Sequence, residues 1–298
     1  MVDITSSSKR IAIKHFLQLF LFYLKLISFP IYNILIMIIE KIKQKKRIFI
    51  LTVLLAAAIF LTWNFLSHSL SGCYAKAYSI GSSVCHQIPS HSFSIGAIQF
   101  PVCARCTGHY IGSFIGIVYA FLSGKKIAIP KTRFIVFLVV LILLWAGDGL
   151  NSFISDFLNK PFLYQSNNLS RLITGYGMGL VMSTALVTLF NFSIWKTGKR
   201  TPVLDSEIQV IGYGILSVLS SLLILKSGPV IFQFAAYITI FSVLSIITLL
   251  YSIFWVIFLK KENRFTNWKD MGVYILAGYS AAMVQILLLI ALRNRILL

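Results

Sequence analysis

The chain is poor in charge and poorer still in acid. Only 12% of its 298 residues are charged, and eight acidic side chains stand against 27 basic ones. A soluble globular domain carries about 25% charged and roughly 45–50% apolar residues. Here the apolar share is 58% and the mean hydropathy is +0.85, which excludes an ordinary water-facing surface. The sequence also lacks any stretch fit for a soluble domain, any repeat of fixed period and any low-complexity linker. No small-residue cleavage pattern marks a removable leader. A net charge of +19 would direct a soluble chain toward nucleic acid, but the basic residues form short runs between apolar segments without a folded reading module, so no nucleic-acid partner is expected.

What is abundant is apolar sequence in long runs. A hydrocarbon core needs about 20 residues of helix, and stretches of that order fall near 48–66, 107–123, 134–154, 170–194, 208–226, 230–258 and 271–292. The expected fold is therefore all-α, a polytopic transmembrane bundle of about seven spans in contact with membrane lipids. Basic residues fix its orientation. With the N-terminus and Lys41, Lys43, Lys45, Lys46 and Arg47 in the cytoplasm, 20 of the 27 lie on the inner side. The outer side keeps seven, Arg293 and Arg295 among them. The expectation is a multi-pass protein of the cell membrane with the loop between the first two spans outside.

Residues 1–47 read as a basic, interfacial amphipathic segment. Its apolar stretches are divided by Lys25 and Pro30, and its lysines can meet anionic lipid. Residues 48–195 then form a core of four spans with the outer loop, and 196–298 three further spans. In the second span Gly108, Gly112 and Gly116 recur every fourth residue, as do Gly175 and Gly179 in the fourth. Such spacing lets helix backbones approach closely. His15 and His68, lone histidines near helix ends, read as interfacial.

Three of the four cysteines fall between Ser83 and Cys106, in Cys85-His86-Gln87-Ile88-Pro89 and Pro101-Val102-Cys103-Ala104-Arg105-Cys106-Thr107-Gly108. A Cys-x-x-Cys pair can chelate a metal, close a disulfide or run thiol exchange. With Pro101 before it and an apolar run after it, Cys103 and Cys106 belong at a helix N-terminus, where the dipole and Arg105 favour thiolate. Cys85, His86, Cys103 and Cys106 make a candidate ligand set of three sulfurs and one nitrogen, suited to zinc or another transition metal. His91, His109 or Asp148 are alternatives for the fourth place, because Cys85 and His86 are adjacent. In a redox reading Cys103 and Cys106 are the working pair, with Cys73 and Cys85 as a second one. Structural disulfides or inert buried thiols are the third option.

Two further segments add polar groups near the outer ends of the spans. Asp148, within or at the end of the third span, needs a partner, since a lone carboxylate in lipid is expensive. Arg171, in the first turn of the fourth span, is the partner expected. Asp148, Asn151, Asn167, Arg171 and Thr174, with Arg105, are candidates for a polar pocket beside the cysteines, as support for a metal or as a clamp for an anionic or carbonyl-bearing substrate. The alternative is a structural ion pair between two helices. A transporter or lipid-binding protein, depending more on Asp148 and Arg171 than on the thiols, is a further class.

Four separated motifs occur in order: Cys85-His86-Gln87-x-Pro89-x-x-Ser92-Phe93, Pro101 to Gly108, Asp148-Gly149, and Ser166-Asn167-Asn168-x-x-Arg171-x-x-Thr174-Gly175. Together they resemble a family of bacterial and archaeal membrane proteins classed only as a domain of unknown function. The resemblance covers about residues 73–190 and implies a common site built from these residues; it supplies no activity, substrate or cofactor. The chain departs from the usual pattern with His91 at a position where Arg is common, and with His109 and Tyr110 after the glycine. The N-terminal segment and the last three spans lie outside the shared part and are candidates for a chain-specific role.

Overall fold

The computed structural model describes residues 41, 44–67, 72–226 and 228–296. The chain divides into two compact units, Met1–Val53 and Leu54–Leu298. Nearly all of the expected interfacial segment 1–47, including His15, lies outside the described residues, as does His68.

Long helices stand at all seven expected stretches: α1 (Gln44–Ser67), α3 (Ala104–Leu122), α4 (Thr132–Leu158), α5 (Asn168–Ile194), α6 (Glu207–Lys226), α7 (Pro229–Phe258) and α8 (Trp268–Ile296). A short α2 (Cys73–Ser82), a 3-10 turn at Pro89–His91 and two small strand pairs complete the regular structure among the described residues. These are β1 (Ser94–Ile95) with β2 (Ile98–Gln99), and β3 (Lys126–Ala128) with β4 (Lys199–Pro202). Six of the seven long helices are long and apolar enough to cross a membrane; α3 is the exception. Its 19 residues make about 28 Å at 1.5 Å per residue, close to a hydrocarbon thickness of about 30 Å. What it lacks is apolarity, because Thr107, Gly108, Gly112 and Ser113 are buried against protein. Only a helix facing lipid must be apolar on that side.

The outer helices show the converse. Phe60 and Trp63 on α1, Leu143 and Phe153 on α4, Leu219 and Leu223 on α6, and Phe234 and Phe254 on α7 are all exposed. Apolar surface of that extent is untenable in water and is the solvated face in lipid. The fold is an all-α membrane bundle.

Its tightest seam is α3 against α5. A methyl group added at Gly179 would lie 2.8 Å from the carbonyl oxygen of His109, and one at Gly175 would run into the carbonyl of Arg105. Backbone therefore packs directly on backbone, which only glycine permits. Gly147 on α4 has nothing within 4 Å of the same added atom. Gly175→Val is expected to lower stability by about 3 kcal/mol, the upper end of overpacking penalties. Gly147→Ala should raise it by up to about 1 kcal/mol through helix propensity. Thermal unfolding in detergent reads both; equal effects would remove the seam as the explanation.

At the far end of α5 the chain is fastened by aromatic rings. Trp195, 2% exposed, meets Trp268 edge to face at 4.9 Å between centroids. Its Nε1 donates to Asn191 Oδ1 at 2.9 Å, and Lys125 Nζ sits 3.8 Å over its ring. Beside it β3 and β4 pair in parallel, joining the α3–α4 and α5–α6 connections.

Candidate functional site

The loop that carries the cysteines is folded by glutamines. After α2 the chain passes Cys85 and turns at Gln87, whose φ of 57° lies in the left-handed region. The Gln87 side chain is buried, and its Nε2 donates to the carbonyls of Tyr78 at 2.8 Å and Pro101 at 2.7 Å. Gln99 Nε2 returns a bond to the Gln87 carbonyl at 2.8 Å. The β1–β2 hairpin reverses the chain, pairing Ser94 with Gln99. Pro101, Val102 and Cys103 are thereby laid over Cys85.

The sulfurs of Cys85, Cys103 and Cys106 lie within 4.8 Å of one another. All four cysteines are free thiols, and Cys73 is exposed and outside this group. Cys103 is the N-cap of α3 and Cys106 follows in its first turn. Backbone N–H groups of Cys103 and Gln87 point at Cys85 Sγ, at 3.1 and 3.5 Å. The three thiols are not equivalent. Cys103 is pulled far below the ordinary thiol range by hydrogen bonds from Cys106 and then Cys85, against the opposing effect of burial, with His86 and the Cys106 N–H adding to the pull. Cys85 is pushed up to about 11, chiefly because it donates to Cys103 and also because it is buried. The arrangement thus favours the charged form at Cys103 and disfavours it at Cys85.

Apolar side chains close around the cluster. Phe100 and Val102 are fully buried against it, and α7 contributes Phe232 and Ala236. Helix α7 therefore forms part of the wall around the sulfurs. A low-dielectric shell of this kind strengthens whatever electrostatic interaction the thiolates make.

His86 does not join the three sulfurs. Its Nδ1 accepts the Ile88 N–H at 3.0 Å, and its side chain helps to lower the Cys103 pKa. It neighbours the three sulfurs without being one of the group that lies within 4.8 Å. Its ring stands edge-on to His91, 5.7 Å between centroids, and His91 Nε2 lies 3.3 Å from Asp156 Oδ2. Burial and then the charge of Arg171 lower the His91 pKa. His109, on α3, is outside the sulfur group, with its Nε2 buried and unpartnered.

The polar residues converge, but with a different pairing from the one expected. Arg105, not Arg171, takes Asp148: Arg105 Nη2 and Nε donate to Asp148 Oδ2 at 2.5 and 3.0 Å, and Nη2 also to the Asp148 carbonyl at 3.0 Å. Tyr164 Oη donates to Oδ1 at 2.5 Å and Thr174 Oγ1 to Oδ2 at 3.3 Å. Arg171 turns to Ser152 Oγ, from Nε at 3.1 Å and Nη2 at 2.9 Å, and to Asn168 Oδ1 at 3.0 Å. The cause is the glycine seam, which sets the first turn of α3 so that Arg105 reaches α4. Asn151, 1% exposed, holds the α4–α5 loop through the Leu163 N–H at 2.8 Å and Ser166 Oγ at 2.9 Å. Asn167 caps α5 by accepting the Ser170 N–H at 2.8 Å. Asn168 Nδ2 reaches the carbonyls of Ser90 and Ser92, both at 3.3 Å, tying this cluster to the cysteine loop.

Several contributors escape a reading of the sequence. Gln87 stands inside the first motif, so its position was a signal, whereas its amide bridging is not readable locally. Tyr164 is one of many tyrosines, and Phe232 and Arg293 come from helices with no motif.

The chain matches a family described as "Predicted membrane protein (DUF2085)" over residues 85–185, the stretch from the first clustered cysteine to the middle of α5. An uncharacterized protein of Methanothermobacter thermautotrophicus is 36% identical over 106 residues, 35% of this chain and 86% of the relative. A second, from Methanocaldococcus jannaschii, is 33% identical over 138 residues, covering 46% of this chain and 78% of the relative. Both relatives are archaeal, and no solved structure matches. With the three-cysteine cluster, Asp148, Arg171 and Thr174 all inside the matched stretch, the chain belongs to this family of membrane proteins.

Proposed function

We propose that this protein binds a zinc-type transition metal through Cys85, Cys103 and Cys106. The observation that carries the reading is the gathering of three sulfurs within 4.8 Å, two of them on buried residues, at the first turn of a helix. Three soft ligands with backbone N–H groups aimed at a sulfur fit a thiolate site, and an ion there would draw off the protons still held by the thiols. Three protein ligands leave a fourth position exchangeable, which is the composition of a reactive rather than a closed structural centre. His86 then acts from beside the metal, and Arg105, Asp148, Asn151, Asn167, Arg171 and Thr174 brace the surroundings. Residues 48–195 carry the site and α7, within 196–298, helps to wall it in. The charge bias of the loops supports placing the site on the outer face of the cell membrane, with the N-terminus in the cytoplasm.

Elemental analysis of the protein purified without chelator tests this: zinc or another transition metal in stoichiometric amount is expected, and a metal-free protein would remove the reading. A thiol–disulfide oxidoreductase is the second reading, favoured by the low pKa of Cys103 at a helix N-cap. Alkylation trapping separates the two. A redox enzyme shows Cys103 and Cys106 cycling between reduced and oxidised forms, whereas a metal site shields all three thiols until chelator is added.

A further inference from the structure

The positive-inside pattern leaves Arg293 and Arg295 at the outer end of the last helix without an explanation. The structure supplies one for Arg293. Its Nη1 donates to the carbonyls of Cys85 at 2.5 Å and Ser82 at 2.9 Å, and its Nη2 to that of His86 at 3.1 Å. One guanidinium thus gathers the last carbonyl of α2 and two carbonyls of the cysteine turn, more than 200 residues away in sequence. Among the described residues no carboxylate pairs with it. A cation at a helix C-terminus is favoured by the exposed carbonyl dipoles, and here the same charge extends its hold to the turn that aims Cys85. Gln87 ties this turn to the carbonyls of Tyr78 and Pro101; Arg293 ties its own carbonyls to α8. Behind it, between α1, α2 and α8, lies a cavity of about 560 Å3 lined by Asn64, Tyr78, Ser82, Gln87, Leu287 and Arg293. Without the guanidinium the turn has room to swing into that space.

We infer that Arg293 is a positioning residue for the metal centre, holding Cys85 in register with Cys103 and Cys106. This rests on the metal reading above and assigns α8, which lies outside the family match, a part in the site. Lysine is a poor substitute, since a single ammonium cannot present the fork that spans three carbonyls.

The 298-residue chain in detergent, stripped with chelator, is compared with Arg293→Ala, Arg293→Lys and Arg295→Ala. The first readout is the alkylation rate of Cys85 followed by peptide mass spectrometry; the second is Zn2+ affinity by competition with a chromophoric chelator. Arg293→Ala is expected to alkylate Cys85 about tenfold faster and to bind Zn2+ about tenfold more weakly, the effect typical of removing support for a ligand. Arg293→Lys should fall between, and Arg295→Ala should match the parent. An Arg293→Ala protein with the parent's alkylation rate and affinity would overturn the inference. Should Arg293→Ala fail to fold, hydrogen exchange over residues 82–88 in Arg293→Lys decides: faster exchange there supports the clamp, and unchanged exchange overturns it. If the parent binds no Zn2+, the proposed function fails on that arm, while the alkylation arm still rules separately on whether Arg293 holds Cys85.

Discussion

Cys103→Ser is expected to fold like the parent and to lose its metal. Serine is nearly isosteric with cysteine and is among the best N-cap residues, so α3 should start where it does now. The sulfur removed is the one whose thiolate is favoured by hydrogen bonds from both Cys106 and Cys85. Zinc in small thiolate sites is worth about 10–16 kcal/mol, so losing one of three protein ligands removes about 3–5 kcal/mol, or about two to four orders of magnitude in affinity. Elemental analysis after gel filtration should show the stoichiometric metal of the parent fall to background, with unfolding of the metal-free forms unchanged. Cys73→Ser is the control, since Cys73 is exposed and outside the cluster. Retention of full metal by Cys103→Ser would sink the assignment. Loss of metal in the Cys73 control would show that the set of sulfurs is wrongly chosen.

The second large effect belongs to Asp148. Its carboxylate, with 2% of the side chain exposed, accepts from Arg105, Tyr164 and Thr174 at once. Asp148→Ala strands a guanidinium that is itself 17% exposed and takes the acceptor from the Tyr164 phenol, while the Thr174 hydroxyl keeps the carbonyls of Ser170 and Arg171. Removing one partner of a buried ion pair is destabilising by about 3–5 kcal/mol. The double variant Arg105→Met, Asp148→Leu should recover most of that loss, because it removes both charges and leaves apolar volume in their place. Denaturation in detergent of the parent, Arg105→Met, Asp148→Leu and the double variant, measured as one cycle, checks the coupling. If Asp148→Ala were as stable as the parent, water or lipid headgroups would have to be solvating Arg105, and the cluster would be open rather than structural.

The helices were legible because apolar runs longer than a soluble helix needs admit one solvent, and their ends follow where the runs stop. The glycine seam was legible too: spacing of four puts Gly108, Gly112 and Gly116 on one face, and Gly175 and Gly179 on another of the same kind. The grouping of Cys85, Cys103 and Cys106 was one of three options left open by their spacing, beside a redox pair and structural disulfides or inert thiols, and the fold brings the three sulfurs within 4.8 Å. The choice between two arginines for one carboxylate was not legible. Arg105 and Arg171 are both near Asp148 along the expected bundle rim, and only the rotation of α3 against α5 selects between them. Nor was the hydrogen bond of His86, which depends on one backbone N–H two residues on. Contributions from α7 and α8 leave no local trace, since Phe232 and Arg293 act through tertiary contacts whose sequence distance exceeds any periodicity.

Arg105 sits between the two cysteines of α3, its carbonyl pressed on Gly175 and its guanidinium locked to Asp148. The residue is a crossbar. Any twist of that first turn that re-aims the sulfurs of Cys103 and Cys106 must also wrench the arginine from its carboxylate or lever α5 away from α3. The thiols and the charged cluster are therefore one mechanical part, and occupancy of the former is expected to register as stiffness in the latter.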